Sequence, residues 1–140
     1  MKNLKEYITE GINSHKKIFV VIKPCFLDKT SDILDIYKKN GWKLKFTTIK
    51  QLMPEEARKL YVIHKKKDFY KPLCEYMSSG ITRAFIFTKE MTGDEFKEAS
   101  RIKDEIREKW GESDMRNVVH SSDSKENMDR EAGIYFGKVW

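Results

Sequence analysis

Apolar residues along this chain of 140 residues recur with two periods, and the switch between them marks out alternating strands and helices. Short runs rich in β-branched and aromatic residues predict strands near Ile18 to Lys23, Trp42 to Thr48, Thr82 to Phe87 and Met115 to His120. Between them, helical spacing predicts helices near Ser31 to Asn40, Pro54 to His64, Phe69 to Ser78, Gly93 to Lys109 and Ser124 to Gly137. Pro54 suits a first helical turn, and Gly41 suits the end of the helix before it. The order β-α-β-α-α-β-α-β-α fits an α/β (α+β) fold, a ferredoxin-like sandwich whose four-stranded antiparallel sheet is covered by helices. Leu4, Tyr7, Ile8 and Ile12 form a weak helical stripe. The chain thus divides into an N-terminal extension over residues 1–17, expected to be helical, and one domain over residues 18–140.

The junction of the last strand and the last helix carries the strongest chemical signal. Val118 and Val119 favour a buried strand. Asp123 or Ser124 can cap the helix that follows, and Asp123 with Glu126 reads as a variant capping box. On helical spacing Met128, Ala132, Tyr135 and Phe136 form an apolar stripe with Glu131 at its margin. A partly buried carboxylate needs a partner, and Ser122 and His120 are the nearby candidates. Carboxylate, hydroxyl and imidazole can then join in one network. A lone histidine at a strand end is more often a structural or surface residue, so the rest of the chain must decide.

The run Arg116-Asn117-Val118-Val119-His120-Ser121-Ser122-Asp123-Ser124, with Glu131 beyond it, closely resembles the active-site signature of nucleoside diphosphate kinases. That family moves a γ-phosphate between nucleotides through a phosphohistidine, and His120 occupies the nucleophile position. Ser121 departs from the small glycine or alanine usual there. Further landmarks follow in order from about Lys17 to Phe136. Phe19-Val20-Val21-Ile22-Lys23-Pro24 resembles the family's first strand, with Lys23 as its phosphate-facing lysine. Tyr61 matches a tyrosine at the phosphate end, and Phe69 an aromatic that stacks on the base, a contact that tolerates any base. Ser79-Gly80 matches a turn, with Ile81 where proline is usual. Arg101 and Arg107 match two phosphate-binding arginines, and the resemblance implies that Asn117 and Lys23 hold the ribose hydroxyls.

The chain departs from that pattern between the two arginines. Only five residues separate Arg101 from Arg107, so the usual loop, with its phosphate-contacting threonine, is shortened by roughly eleven residues. Phe96, Ala99, Ile102, Ile106 and Trp110 form one stripe, which predicts a helix running through both arginines and setting them about 120° apart. One of them should then miss the phosphates, unless the helix ends before Arg107. Because the missing loop commonly builds trimer contacts in the family's hexamers, the resemblance implies a homo-oligomer such as the family dimer.

Composition adds bounds rather than chemistry. With 36% charged and 39% hydrophobic residues, the chain reads as one globular domain. Cys25 and Cys74 are too few and too far apart for a disulfide framework or a metal motif. No stretch reaches the roughly 18 apolar residues of a membrane span, so no membrane partner and a cytoplasmic setting are expected. The net charge of +6 invites a nucleic-acid reading, but Lys65-Lys66-Lys67 fits a solvated loop, and a nucleotide polyphosphate explains surplus positive charge equally well.

The expected chemistry is ping-pong transfer between nucleoside tri- and diphosphates, with His120 as nucleophile and Glu131 and Ser122 orienting it. An ordinary imidazole is largely neutral at pH 7, so direction matters more than deprotonation. Lys23, Arg101, Arg107 and a nucleotide-borne Mg²⁺ would supply positive charge, with no metal held by the protein itself. Strand alternation puts Asn117 and His120 on opposite faces, so the strand should twist or break between them. Two other classes remain open: a catalytically weakened nucleotide-binding relative, which the shortened loop permits, and a basic nucleic-acid-binding module. The chain lacks the aromatic RNP-like runs of the latter, and it retains His120, whose loss would be the natural first step toward the former.

Overall fold

The structure is a computed structural model describing residues 15–138 and 140. The stripe of Leu4, Tyr7, Ile8 and Ile12 lies outside the described residues, while residues 15–17 continue the first strand. Four strands, β1 (His15–Ile22), β2 (Lys43–Lys50), β3 (Thr82–Glu90) and β4 (Val119–Ser121), form one sheet in the order β2-β3-β1-β4. Every pairing is antiparallel. The helices are α1 (Thr30–Lys39), α2 (Pro54–Leu60), α3 (Tyr70–Met77), α4 (Glu95–Trp110) and α5 (Lys125–Phe136). This is the ferredoxin-like arrangement, with the first and third strands central and the fourth at an edge.

Alternation along β1 splits the core into two layers. Ile18, Val20 and Ile22 pack with Phe85 and Phe87 against Ile33 and Tyr37 of α1 and Ala99, Ile102 and Ile106 of α4. Phe19 and Val21 face the other way, toward Ala57, Leu60, Leu73, Met77, Met128 and Ala132 of α2, α3 and α5. A period of two in the strands and of 3.6 in the helices places these residues on facing surfaces. Tyr37 stacks on Phe87, ring centroids 4.5 Å apart.

The expected stripe of Ala99, Ile102 and Ile106 is buried along an unbroken α4. Asp94 caps this helix, accepting from the N–H groups of Phe96 and Lys97 at 2.9 and 3.2 Å. Gly111 ends it. Its N–H donates to the Arg107 carbonyl at 2.7 Å, and a Cβ there would lie 2.4 Å from that same oxygen. Only glycine lets the chain fold back so closely and return through Asn117 to β4.

The final strand is shorter than expected. Met115 to Val118 do not join the sheet, and β4 covers only Val119 to Ser121. Val118 has φ +80°, and the Val119 N–H donates to the Asn117 carbonyl at 3.0 Å. This is a γ-turn with positive φ, a rare conformation strained for a β-branched residue. It supplies the expected break between Asn117 and His120. At the far end of the junction Ser124 caps α5, accepting from the Asn127 N–H at 3.1 Å. The Asp123–Glu126 capping box does not form, because Asp123 instead accepts from the Asn127 side chain at 2.6 Å.

Gly111→Ala should lower unfolding free energy by about 1–3 kcal/mol, since the added methyl forces the Arg107 carbonyl to shift. Urea titration of the variant beside wild type measures it.

Candidate active site

The short strand β4 lies at a sheet edge, so side chains from both helical layers can reach its exposed end. Tyr61 follows α2, Glu131 comes from α5, and Arg107 comes from α4 on the opposite layer. Lys23 stands where β1 ends, its N–H donating to the Val118 carbonyl at 2.8 Å. Lys23, Tyr61 and Arg107, with Phe69, Asn117, His120 and others, line a cavity of about 370 Å³. That volume lies within the usual range for small-molecule sites. A smaller adjoining space of about 180 Å³ shares Tyr61, Arg107 and His120 and adds Glu131 and Asp123.

His120 is held at one nitrogen. Its Nε2 bonds directly to Glu131 Oε1, and Glu131 is only 2% exposed. Because a carboxylate accepts, this bond fixes the tautomer with hydrogen on Nε2 and a lone pair on Nδ1. Among the described residues Nδ1 has no partner, so it is the nitrogen free to attack. The Tyr61 ring stands edge-on to the imidazole, centroids 5.3 Å apart at 79°. Burial pushes the Tyr61 hydroxyl well above its ordinary titration range, so it stays a phenol able to donate. That hydroxyl is buried without a protein partner.

Ser122 does not join the network as expected. Its hydroxyl is buried without a partner, because Glu131 reaches the imidazole itself and needs no intermediary. Asn117 anchors through Nδ2 to the Asp114 carbonyl at 2.7 Å, leaving its own buried oxygen unpartnered. Phe69 stands at the rim, 49% exposed, with the His64 ring 5.3 Å away. Burial first, and then the charges of His120 and Lys67, hold the His64 imidazole below its ordinary range.

The two arginines part company. Arg107 Nε and Nη2 both donate to the Val119 carbonyl, at 3.1 and 2.9 Å, so this guanidinium braces the strand that carries His120 while facing the cavity. Arg101, matched to the family's other phosphate-binding arginine, is the one that misses: it is exposed and does not line the cavity. It donates to Asn40 Oδ1 at 2.9 Å and pairs with Glu105 at 3.7 Å. Six residues along an unbroken helix turn it about 120° from Arg107, toward the end of α1. Sequence reasoning passed over Lys103, which lines the smaller space. Its one signal was its position four residues before Arg107, on the same helical face. The turn bearing Lys65, Lys66 and Lys67 is exposed, as its composition suggested.

Lys23 is 3% exposed, with its ammonium donating to the Met115 carbonyl at 3.2 Å. Burial, reinforced by the Arg107 and Lys103 charges, brings it down to about 7. An unfolded lysine keeps its proton to about pH 10. Between these values the unfolded chain binds more protons, so stability rises with pH. Above about pH 9 Cys74, whose thiol burial pushes up, acts in the opposite sense. The unfolding free energy of the ligand-free protein should therefore increase from about pH 7 to 8.5, and Lys23→Met should flatten that rise in urea titrations.

Comparison with known proteins bears on this geometry as a whole. The model of the nucleoside diphosphate kinase family matches residues 16–139. The nucleoside diphosphate kinase of Hyperthermus butylicus is 31% identical over 134 residues, covering 86% of this chain and 92% of that protein. That of Chlamydia trachomatis is 32% identical over 128 residues, covering 85% and 91%. The crystal structure of the Aquifex aeolicus nucleoside diphosphate kinase aligns with a TM-score of 0.72 at 26% identity, covering 89% of this chain and 97% of that one. The Encephalitozoon cuniculi enzyme shares the fold, with a TM-score of 0.74 at 23% identity over 88% and 90% of the two chains. With a match spanning nearly the whole domain, the chain belongs to the nucleoside diphosphate kinase family.

Proposed function

We propose that this chain is an active nucleoside diphosphate kinase that transfers the γ-phosphate of a nucleoside triphosphate to a nucleoside diphosphate through a phosphohistidine on His120. The observation that carries the proposal is the pairing of buried Glu131 with His120 Nε2, which leaves Nδ1 free on a histidine that lines a basic, aromatic cavity.

In the first half-reaction the Nδ1 lone pair attacks the γ-phosphorus. A nitrogen–phosphorus bond forms as the bond to the β–γ bridging oxygen breaks, and the electron pair leaves with the diphosphate. Positive charge that develops on the ring is balanced by Glu131. In the second half a new diphosphate oxygen attacks the phosphohistidine, and the electron pair returns to Nδ1. The transition state is loose, with charge on the equatorial oxygens, so positioning and cations matter more than acid–base chemistry. Lys23 and Arg107 supply cations, the Tyr61 hydroxyl a donor, Asn117 and Lys23 the ribose contacts, and Phe69 the base platform. A buried Lys23 of lowered proton affinity regains its proton when a polyphosphate arrives.

Mg²⁺ would arrive on the substrate's phosphates and shield their charge. The cavity wall suits that arrangement, with lysine, arginine and tyrosine on it, Asp114 as the one carboxylate lining the larger space, and Asp123 beside the imidazole-bound Glu131 on the smaller. A homodimer and a cytoplasmic setting belong to the same reading. Support for the dimer comes from edge strand β2, which exposes Leu44, Phe46 and Ile49 and is open on one side to a further strand. Among the described residues, no helix is long and apolar enough to cross a membrane.

Incubation with γ-labelled ATP and Mg²⁺ should label the protein in an acid-labile, alkali-stable form that any nucleoside diphosphate removes. His120→Ala should abolish the label, and label persisting in that variant would sink the assignment. Glu131→Ala should slow labelling by roughly 10²-fold, the scale expected when a reacting group loses its orientation. Arg107→Ala should slow transfer more than it weakens binding of the base, as stopped-flow labelling compared with equilibrium binding would reveal.

A further inference from the structure

With Arg101 turned toward Asn40, the phosphates would meet fewer cations than the sequence pattern promises. Arg107 already directs two of its donors at the Val119 carbonyl. Lys103 stands on α4 one turn before Arg107, and residues four apart on a helix share a face. It lines the 180 Å³ space together with Arg107, His120, Asp123 and Glu131. Glu131 is committed to the imidazole. The ion pair Lys103 does make is with Asp104, its chain neighbour, at 3.6 Å. The Asp104 side chain is largely in solvent, whereas that of Lys103 is mostly covered. A loosely spaced pair whose carboxylate is largely in solvent is worth little and yields readily to a better anion. The Lys103 charge is also among the causes, after burial and Arg107, that lower the proton affinity of Lys23.

We propose that Lys103 is a phosphate-binding residue of this chain, contacting the non-bridging oxygens of the nucleotide from the α4 side of His120, where Arg101 does not reach. The inference rests on the nucleotide-transfer reading above. Lysine suits the position because its ammonium is a compact charge on a flexible stem, able to swing from Asp104 to an incoming phosphate. The resulting site carries Lys23, Lys103 and Arg107 around one imidazole. Two of these three come from consecutive turns of a single helix.

The test compares ADP with adenosine, which share the base and ribose and differ in the phosphates. Lys103→Met should bind MgADP about tenfold more weakly by calorimetry, the loss of one charge-assisted contact. Its adenosine affinity, read by NMR titration, should stay within about twofold of wild type, and Lys103→Arg should recover most of the ADP affinity. Lys97→Met, which removes the same charge from an exposed position of α4, should leave both affinities unchanged. The proposal is overturned if Lys103→Met binds ADP like wild type, or if it loses adenosine and ADP in equal measure. Labelling of wild-type protein by γ-labelled ATP is read separately. Its failure would refute phosphoryl transfer, while the ADP–adenosine comparison would still decide the role of Lys103.

Discussion

The hydrogen bond between His120 Nε2 and Glu131 is the interaction on which the site depends. A carboxylate 2% exposed is costly to bury without a partner, and a free imidazole at the end of a strand would rotate between several directions. Each group answers the other's need. The bond also joins β4 to α5, so the geometry of the nucleophile is set by the packing of Met128, Ala132 and Tyr135 into the core. Any change that shifts α5 against the sheet redirects the reacting nitrogen.

Edge placement of β4 makes the rest of the site possible. A central strand would have had each face sealed by its own helical layer, and Arg107 could not have met Tyr61 across it. At the edge, α4 reaches round from one layer while Tyr61 and Glu131 arrive from the other. The γ-turn at Val118 contributes the second condition, turning Asn117 and His120 toward one cavity despite strand alternation. Strain of this kind persists where the surroundings over-determine it. Here the Lys23 N–H holds the Val118 carbonyl, Arg107 holds that of Val119, and the Val118 side chain is fully buried.

Much of this was legible in the sequence, for identifiable reasons. The stripes of α4 and α5 have strong helical periodicity, and β1 and β3 carry continuous apolar runs, as strands buried on both faces do. The pairing of His120 with Glu131 followed from a buried carboxylate's need for a partner. What escaped depended on backbone detail or competition between neighbours. Val118 reads as a strand residue and adopts a conformation that its side chain disfavours. Asp123 and Ser124 compete for one helix end, and a bond to the Asn127 side chain decides the outcome. For Arg101 and Arg107 the helical stripe foretold that one would miss the phosphates, but not which. Lys103 had no compositional signal in a helix already dense with charge.

The unbroken α4 has a consequence for how substrate is met. Cations on a loop must be ordered when a ligand arrives, and each immobilised segment subtracts from affinity. Here Arg107 and Lys103 rise from the flank of a helix locked into the core by Ala99, Ile102 and Ile106. Such a helix is a rigid bracket for the two cations, so recognition needs little reorganisation of the backbone. The same rigidity narrows tolerance: cation spacing is set in whole helical turns, and a one-residue insertion between Gly93 and Lys103 would rotate the core stripe and the phosphate-facing charges out of register together.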